Sequence, residues 1–343
     1  MVRFVGAALA LLSAAGACDG EPGGDGSTSE PVDASDGVVD ELVARCPGAK
    51  SEPIVLATPT GDIEGSLLLP AGCSPFEVVL IHAGSGPTDR DGNSVEMVND
   101  ALKLLAEGLA ERGVATVRFD KRGVAASAAA GPASERDLRL ETYVDDAAAW
   151  VELLAEDERF RGVTIAGHSE GALIGMLAAQ RSPADAFVSL AGPGRPAAEL
   201  LREQLAVRLN GPLLAEADAI LDSLEVGKQV TEVSPELYEL FRPSVQPYLL
   251  SWFAYDPAAI LAQLAVPRAI VQGTTDIQVG LPDAERLAAA APEAQVRIIE
   301  GMNHVLKAAK LEDASQSQAY FDPSLPVVPE LLDGLVEWLG EVR

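Results

Sequence analysis

Within residues 163–180 a β-branched apolar run stops at Gly167-His168-Ser169-Glu170-Gly171 and resumes at once in small and aliphatic residues with helical spacing. Nothing is left over for a loop. The stretch therefore predicts a strand, a very tight turn and a helix, with Ser169 at the point of the turn. In so sharp a reversal a β-carbon at either flanking glycine would collide with the neighbouring strand or helix. The turn exposes the serine hydroxyl and aims the unpaired N–H groups of a helix N-terminus at any oxyanion formed beside it. Ser169 is accordingly a candidate nucleophile; the structural alternative is a serine that merely caps its helix.

The remaining pattern supplies the sheet that such a turn needs. Residues 54–56 and 63–69, around Thr60-Gly61-Asp62, predict an opening hairpin. Short apolar runs at 76–82, 114–119, 186–190, 268–272 and 296–299 predict strands. Helix-spaced apolar residues fall at about 95–109, 143–154, 282–291 and 331–339. Strands alternating with helices imply an α/β chain with a mostly parallel central sheet flanked by helices. One segment breaks the alternation. A mostly helical insertion, with helices at 198–208, 214–224 and 247–254, predicts a lid at about 193–258, above the carboxyl ends of the strands where ligands bind in open α/β sheets. Its aromatics are Tyr238, Phe241, Tyr248, Trp252, Phe253 and Tyr255. Most are expected to pack the insertion onto the body, and one or two to line a pocket.

Ahead of this domain (46–343) the chain reads differently. Arg3 precedes a short apolar stretch, then Ala14-Ala15-Gly16-Ala17-Cys18. Residues 1–18 resemble a bacterial lipoprotein signal in which Cys18 would be acylated, which places the protein outside the cytoplasm, held to a membrane by the lipid. Residues 19–45 are Gly, Asp, Glu, Ser and Pro with little apolar content, an acidic linker that cannot build a core. With Cys18 lipidated, Cys46 and Cys73 remain as an even pair in an exported chain, and a disulfide between them is expected. The formal charge of −27 excludes a nucleic-acid partner, because no basic stripe exists to neutralise phosphates. No oligomeric state follows from the sequence.

A serine nucleophile needs a base, and the base an orienting acid. The chain has three histidines. His168, inside the turn, is expected to point away from the serine, and His82 ends an early strand. His304 follows the last strand in Glu300-Gly301-Met302-Asn303-His304, at the carboxyl edge of the sheet. The acid should lie after the strand at 268–272, where Thr274-Thr275-Asp276 offers Asp276; Asp283, beside Pro282 at a helix start, reads as a cap. The oxyanion donors are expected at the N–H of Glu170 and, in His82-Ala83-Gly84-Ser85-Gly86, at Gly84, with Ser85 next in line. Asp89-Arg90-Asp91-Gly92-Asn93 has the flavour of a calcium loop without its full ligand series, so no metal is expected there and an Asp/Arg-pinned loop is the better reading. Asp120 and Arg122 are expected to tie loops together, and the Glu170 carboxylate to pair with Arg90 or Arg122.

With these motifs assembled, the chain resembles bacterial α/β-hydrolases of the esterase kind, similar to the serine-aminopeptidase-like (S33) and dienelactone-hydrolase-like branches. The motifs are the segment from His82 to Asn93, Arg118-Phe119-Asp120-Lys121-Arg122-Gly123, Gly167 to Gly171, Gln272 to Asp276 and Gly301 to His304. The resemblance implies the α/β-hydrolase fold and a Ser169–His304–Asp276 carboxylesterase acting on small esters without a cofactor. Dienelactone-type members normally carry cysteine where this chain has Ser169, which weakens that substrate. An aminopeptidase or amidase is the enzymatic rival, and a non-catalytic binding lipoprotein the rival of another class.

Overall fold

The computed structural model describes residues 47–342. The expected lipidation site Cys18, the expected signal and linker at 1–45, and Cys46 lie outside them. Cys73 is disulfide-bonded, and the Gly72 N–H donates to Pro47 O (3.0 Å), bringing the segment that follows position 46 beside it.

Eight strands form one sheet: β1 (Lys50–Thr58), β2 (Gly61–Leu69), β3 (Phe76–His82), β4 (Ala115–Phe119), β5 (Phe160–His168), β6 (Ala186–Leu190), β7 (Arg268–Gly273) and β8 (Gln295–Ile299). Their spatial order is β1-β2-β4-β3-β5-β6-β7-β8. The β1–β2 and β2–β4 pairs are antiparallel, and every pair from β4 to β8 is parallel. This is the mostly parallel sheet that the sequence pattern implied, and it has the α/β-hydrolase arrangement expected from the resemblance. Parallel strands need crossovers, and helices supply them: α1 (Ala101–Ala110), α2 (Leu140–Ala155), α3 (Glu170–Ala179), a group between β6 and β7, and α9 (Leu281–Ala290); α10 (Asp313–Phe321) and α11 (Pro329–Glu341) follow β8. The group comprises α4 (Ala197–Arg208), α5 (Gly211–Glu225), α6 (Tyr238–Phe241), α7 (Gln246–Phe253) and α8 (Pro257–Ala262).

The two-residue period of the strands sorts their side chains between two cores. Val78, Leu80, Val163 and Ile165 face α2, α3 and the helical insertion. Val79, Ile81 and Ala166 face α1 and α11. Lying against β5 in the larger core, α3 is buried along all ten of its residues, which explains its small and aliphatic composition.

One helix starts later than expected and another was not expected at all. The helix predicted from about residue 95 starts at Ala101, because Asn93 Oδ1 takes the N–H groups of Asn99 and Asp100 (both 2.8 Å) and Asn99 Oδ1 takes that of Ala101 (2.9 Å). Side-chain capture of those amides holds 94–100 out of the helix and leaves Val95 in solvent. The helix α10, polar along most of its length, carries too weak an apolar period to be read from sequence.

Candidate active site

The central strand β5 delivers Ser169 directly. His168 is its last residue and Glu170 the first of α3, so one residue joins strand to helix. That geometry forces Ser169 to φ 55° and ψ −126°, a conformation that costs on the order of 1–3 kcal/mol and persists only because its surroundings over-determine it. Its N–H donates to Leu190 O on β6 (2.9 Å) and its carbonyl accepts from Ala172 N–H (2.9 Å). The flanking glycines are required by contact. A β-carbon on Gly167 would lie 2.2 Å from Gly171 O, and one on Gly171 would lie 2.6 Å from both His82 O and Ala83 O.

Asp276 and His304 come from loops at the carboxyl ends of β7 and β8. Those ends are stitched together: Thr274 N–H donates to Ile299 O (3.0 Å), Thr275 N–H to Met302 O (3.2 Å), and Gly301 N–H to Thr274 Oγ1 (2.9 Å). His304 donates from Nδ1 to Asp276 Oδ2 (2.8 Å). The carboxylate also accepts from Gln278 N–H (2.8 Å), Val279 N–H (2.9 Å) and Gln272 Nε2 (3.1 Å), which pins it in place. With Nδ1 committed, the Nε2 lone pair is left to take a proton. Ser169 and His304 share the wall of one cavity.

His168 does not point away as the turn suggested. Its ring lies 4.9 Å from that of His304, and its Nε2 donates to the His304 carbonyl (2.7 Å). Burial, and next the neighbouring His304, push its pKa down to about 4, so it is a neutral donor that holds the His304 backbone. His82 is likewise neutral, its pKa lowered to about 3 by burial. Its Nδ1 donates to Ala83 O (2.8 Å). Because N–H and C=O of one trans peptide point oppositely, that bond sets the direction of the Gly84 N–H. Gly84 itself abuts the serine, since a β-carbon there would meet Ser169 Cβ at 3.0 Å.

The charged neighbours are distributed differently from expectation. Glu170 pairs with neither arginine: Arg90 closes on Asp120 (2.7 Å) and Arg122 on Asp146 (2.9 Å), which ties those loops together. Glu170 is buried instead beneath α7, where Tyr248 Oη donates to its Oε1 (2.8 Å). Burial raises its pKa, against the opposing pull of Lys121. Asp283 is no helix cap. Fully buried, it accepts from the N–H groups of Gly194 (3.0 Å) and Arg195 (3.1 Å) and from the Arg195 guanidinium (2.7 Å). In the calcium-like stretch, Asp89 Oδ1 accepts the Asp91 and Asn93 N–H groups (both 2.9 Å) and Asp91 pairs with Arg118. Sequence reasoning missed Lys121, although a lysine two residues past an apolar strand was the available signal.

Two cavities meet at Ser85, Ser169 and Gln278. The larger, about 810 Å³ with its open mouth, runs under the insertion between Leu200, Leu201, Leu240, Leu249 and Trp252, with Lys121, Tyr143, Glu170 and Tyr248 as its polar part. The smaller, about 620 Å³ with its mouth, holds His168, His304, Met97, Leu102 and Tyr320. Of the insertion's aromatics, Tyr248 and Trp252 line a cavity, Phe241 is fully buried packing, and Tyr238 is exposed.

Known proteins similar to this chain bear on its family. The chain is similar to Est1E from Butyrivibrio proteoclasticus, solved with ferulic acid bound (18% identity, TM-score 0.57, 84% of this chain and 98% of that one). It is also similar to the Pyrococcus furiosus esterase PF2001 (14% identity, TM-score 0.53, 85% and 91%). Esterase EstD from Thermotoga maritima is 29% identical over 248 residues, 71% of this chain, and the match spans 58% of that protein's length. The family model described as the alpha/beta hydrolase family matches residues 78–309, a span that takes in the Ser169 turn, the Asp276 loop and His304, and the chain belongs to that family.

Proposed function

We propose that the protein is a serine hydrolase that cleaves small carboxylic esters through an acyl-enzyme. The observation that carries this reading is the convergence of three side chains at the carboxyl ends of β5, β7 and β8: Ser169 on a strained turn, and His304 hydrogen-bonded through Nδ1 to a pinned Asp276. Ser169 Oγ attacks the ester carbonyl as His304 Nε2 takes its proton. Asp276 holds the imidazole in the required tautomer and stabilises the imidazolium. The N–H groups of Gly84 and Glu170 receive the oxyanion. His304 then protonates the departing alkoxide, and water repeats the sequence on the acyl-enzyme.

The general acid must reach the leaving oxygen. We therefore assign the alcohol to the smaller cavity, which His304 lines, and the acyl chain to the larger one under α4 and α7, which His304 does not line. The esterase named among the relatives agrees in reaction class. The buried carboxyl of Glu170 in the acyl cavity is the one feature that favours a second reading, an aminopeptidase or amidase that binds a substrate amine there.

The test is fluorophosphonate labelling together with turnover of p-nitrophenyl esters of graded acyl length and of an aminoacyl anilide. We expect labelling at Ser169, ester turnover far above anilide turnover, and loss of both labelling and turnover in Ser169→Ala with its unfolding midpoint unchanged. Anilide turnover exceeding ester turnover selects the amidase. An unlabelled, inactive wild-type protein selects the binding-protein reading.

A further inference from the structure

Lys121, two residues past the end of β4, is 1% exposed. Removing an ammonium from water costs several kcal/mol, which buried lysines ordinarily recover through a carboxylate. Among the described residues none closes an ion pair with this one. Its Nζ donates instead to two backbone carbonyls of one loop, those of Gly84 and Gly86 (the latter at 2.8 Å), and sits 5.6 Å from the centre of the Tyr143 ring. The loop is the one that abuts Ser169.

Peptide planarity gives the Gly84 bond a consequence. A carbonyl held toward Lys121 turns the N–H of the same peptide the opposite way. The Ser85 N–H is thereby set by Lys121, just as the Gly84 N–H is set by His82; the Gly86 carbonyl shares its peptide with Pro87, which has no N–H, so that second bond anchors the loop without aiming a donor. Among the described residues, neither the Gly84 nor the Ser85 N–H donates to another backbone group. The Lys121 charge also acts on Glu170, whose N–H is the oxyanion donor on the other side of the serine. We propose that Lys121 is a positioning residue for hydrolysis, holding the Gly84 and Gly86 carbonyls so that the Gly84 and Ser85 N–H groups of the loop face the oxyanion formed at Ser169. This inference rests on the hydrolase reading above.

A structural lysine and a positioning lysine differ in what their loss does to the transition state. Burial lowers the Lys121 pKa to about 8, with Glu170 pulling the other way. The other groups facing it stay neutral from pH 7 to 9: Tyr143 and Tyr248 are pushed up by burial, and His82 and His168 are pushed down. Above about pH 8 the ammonium is lost and its hold on the two carbonyls weakens.

The experiment compares wild type with Lys121→Met, using p-nitrophenyl butyrate from pH 6 to 10 and inhibition by a trifluoromethyl ketone, which forms a tetrahedral adduct. In the folded variant we expect kcat to fall on the order of 10²-fold with KM within about twofold. Ketone affinity should fall in parallel, and the wild-type decline in kcat above about pH 8 should be absent. A folded variant with wild-type kcat and ketone affinity overturns the proposal while leaving the hydrolase reading intact. If the variant does not fold, the wild type decides: a kcat and ketone affinity that stay flat from pH 7.5 to 9.5 overturn it. A wild-type protein that neither labels with fluorophosphonate nor turns over esters removes the hydrolase reading and this inference with it.

Discussion

At the scale of single residues, the candidate site keeps two histidines neutral beside the one proposed to move a proton. His82 and His168 each spend one ring nitrogen on a backbone carbonyl, and burial holds their pKa values at about 3 and about 4, against an ordinary value of 6.5. Between these values the unfolded chain binds protons that the folded chain refuses. The stability these groups contribute is therefore complete above pH 6.5 and is lost as pH falls toward 4, at about 1.4 kcal/mol per pH unit for each histidine. Glu170, raised by burial, works in the opposite direction. A substitution isolates the histidine contribution: His168→Gln should make the fall in unfolding free energy between pH 6.5 and 5 shallower by roughly one proton's worth. Equal slopes for variant and wild type in urea titrations would contradict the neutral assignment.

At the scale of elements, the helical insertion is tied to the body at its entry. Asp283, in the first turn of α9, holds the backbone of Gly194 and Arg195 and the Arg195 guanidinium just before α4 begins. Removing a fully buried carboxylate leaves two amides without their acceptor and the Arg195 cation with only the exposed Glu203. We expect Asp283→Ala to cost about 3 kcal/mol, read as a lower urea midpoint, with α4 becoming the first site of limited proteolysis. A midpoint within about 0.5 kcal/mol of wild type would show that the latch does not hold the insertion. Most elements were legible in sequence because the strands are short apolar runs and the principal helices carry an apolar stripe. Legibility failed where side chains captured amides ahead of α1 and where α10 lacked a stripe.

The whole molecule carries a formal charge of −27. That field repels anions approaching the mouth of the site, and salt screens it over a Debye length that shortens from roughly 20 Å to 7 Å between 20 and 200 mM. For an ester bearing a carboxylate, kcat/KM should rise several-fold over that range, while a neutral ester of equal length stays flat. A parallel response of the two esters would place the effect on the protein's stability or conformation rather than on encounter. Among the described residues no helix is long and apolar enough to cross a membrane.

The sequence alone determined whatever depends on near neighbours. The Ser169 turn was readable because only glycine fits on either side of it. Ser169, Asp276 and His304 could be picked out as candidates because each follows a recognisable strand. The tertiary structure decided the partners. His168 meets the His304 carbonyl across 136 positions, Tyr248 reaches Glu170 across 78, and Lys121 reaches Gly84 across 37. Local periodicity spans a few residues, whereas these contacts follow from the order in which strands lie side by side and from where the insertion comes to rest. Glu170 could therefore be seen to need a partner, but not to find it in a tyrosine of α7. Lys121 stood in plain view between Asp120 and Arg122, and only the fold placed its charge under the loop beside the serine.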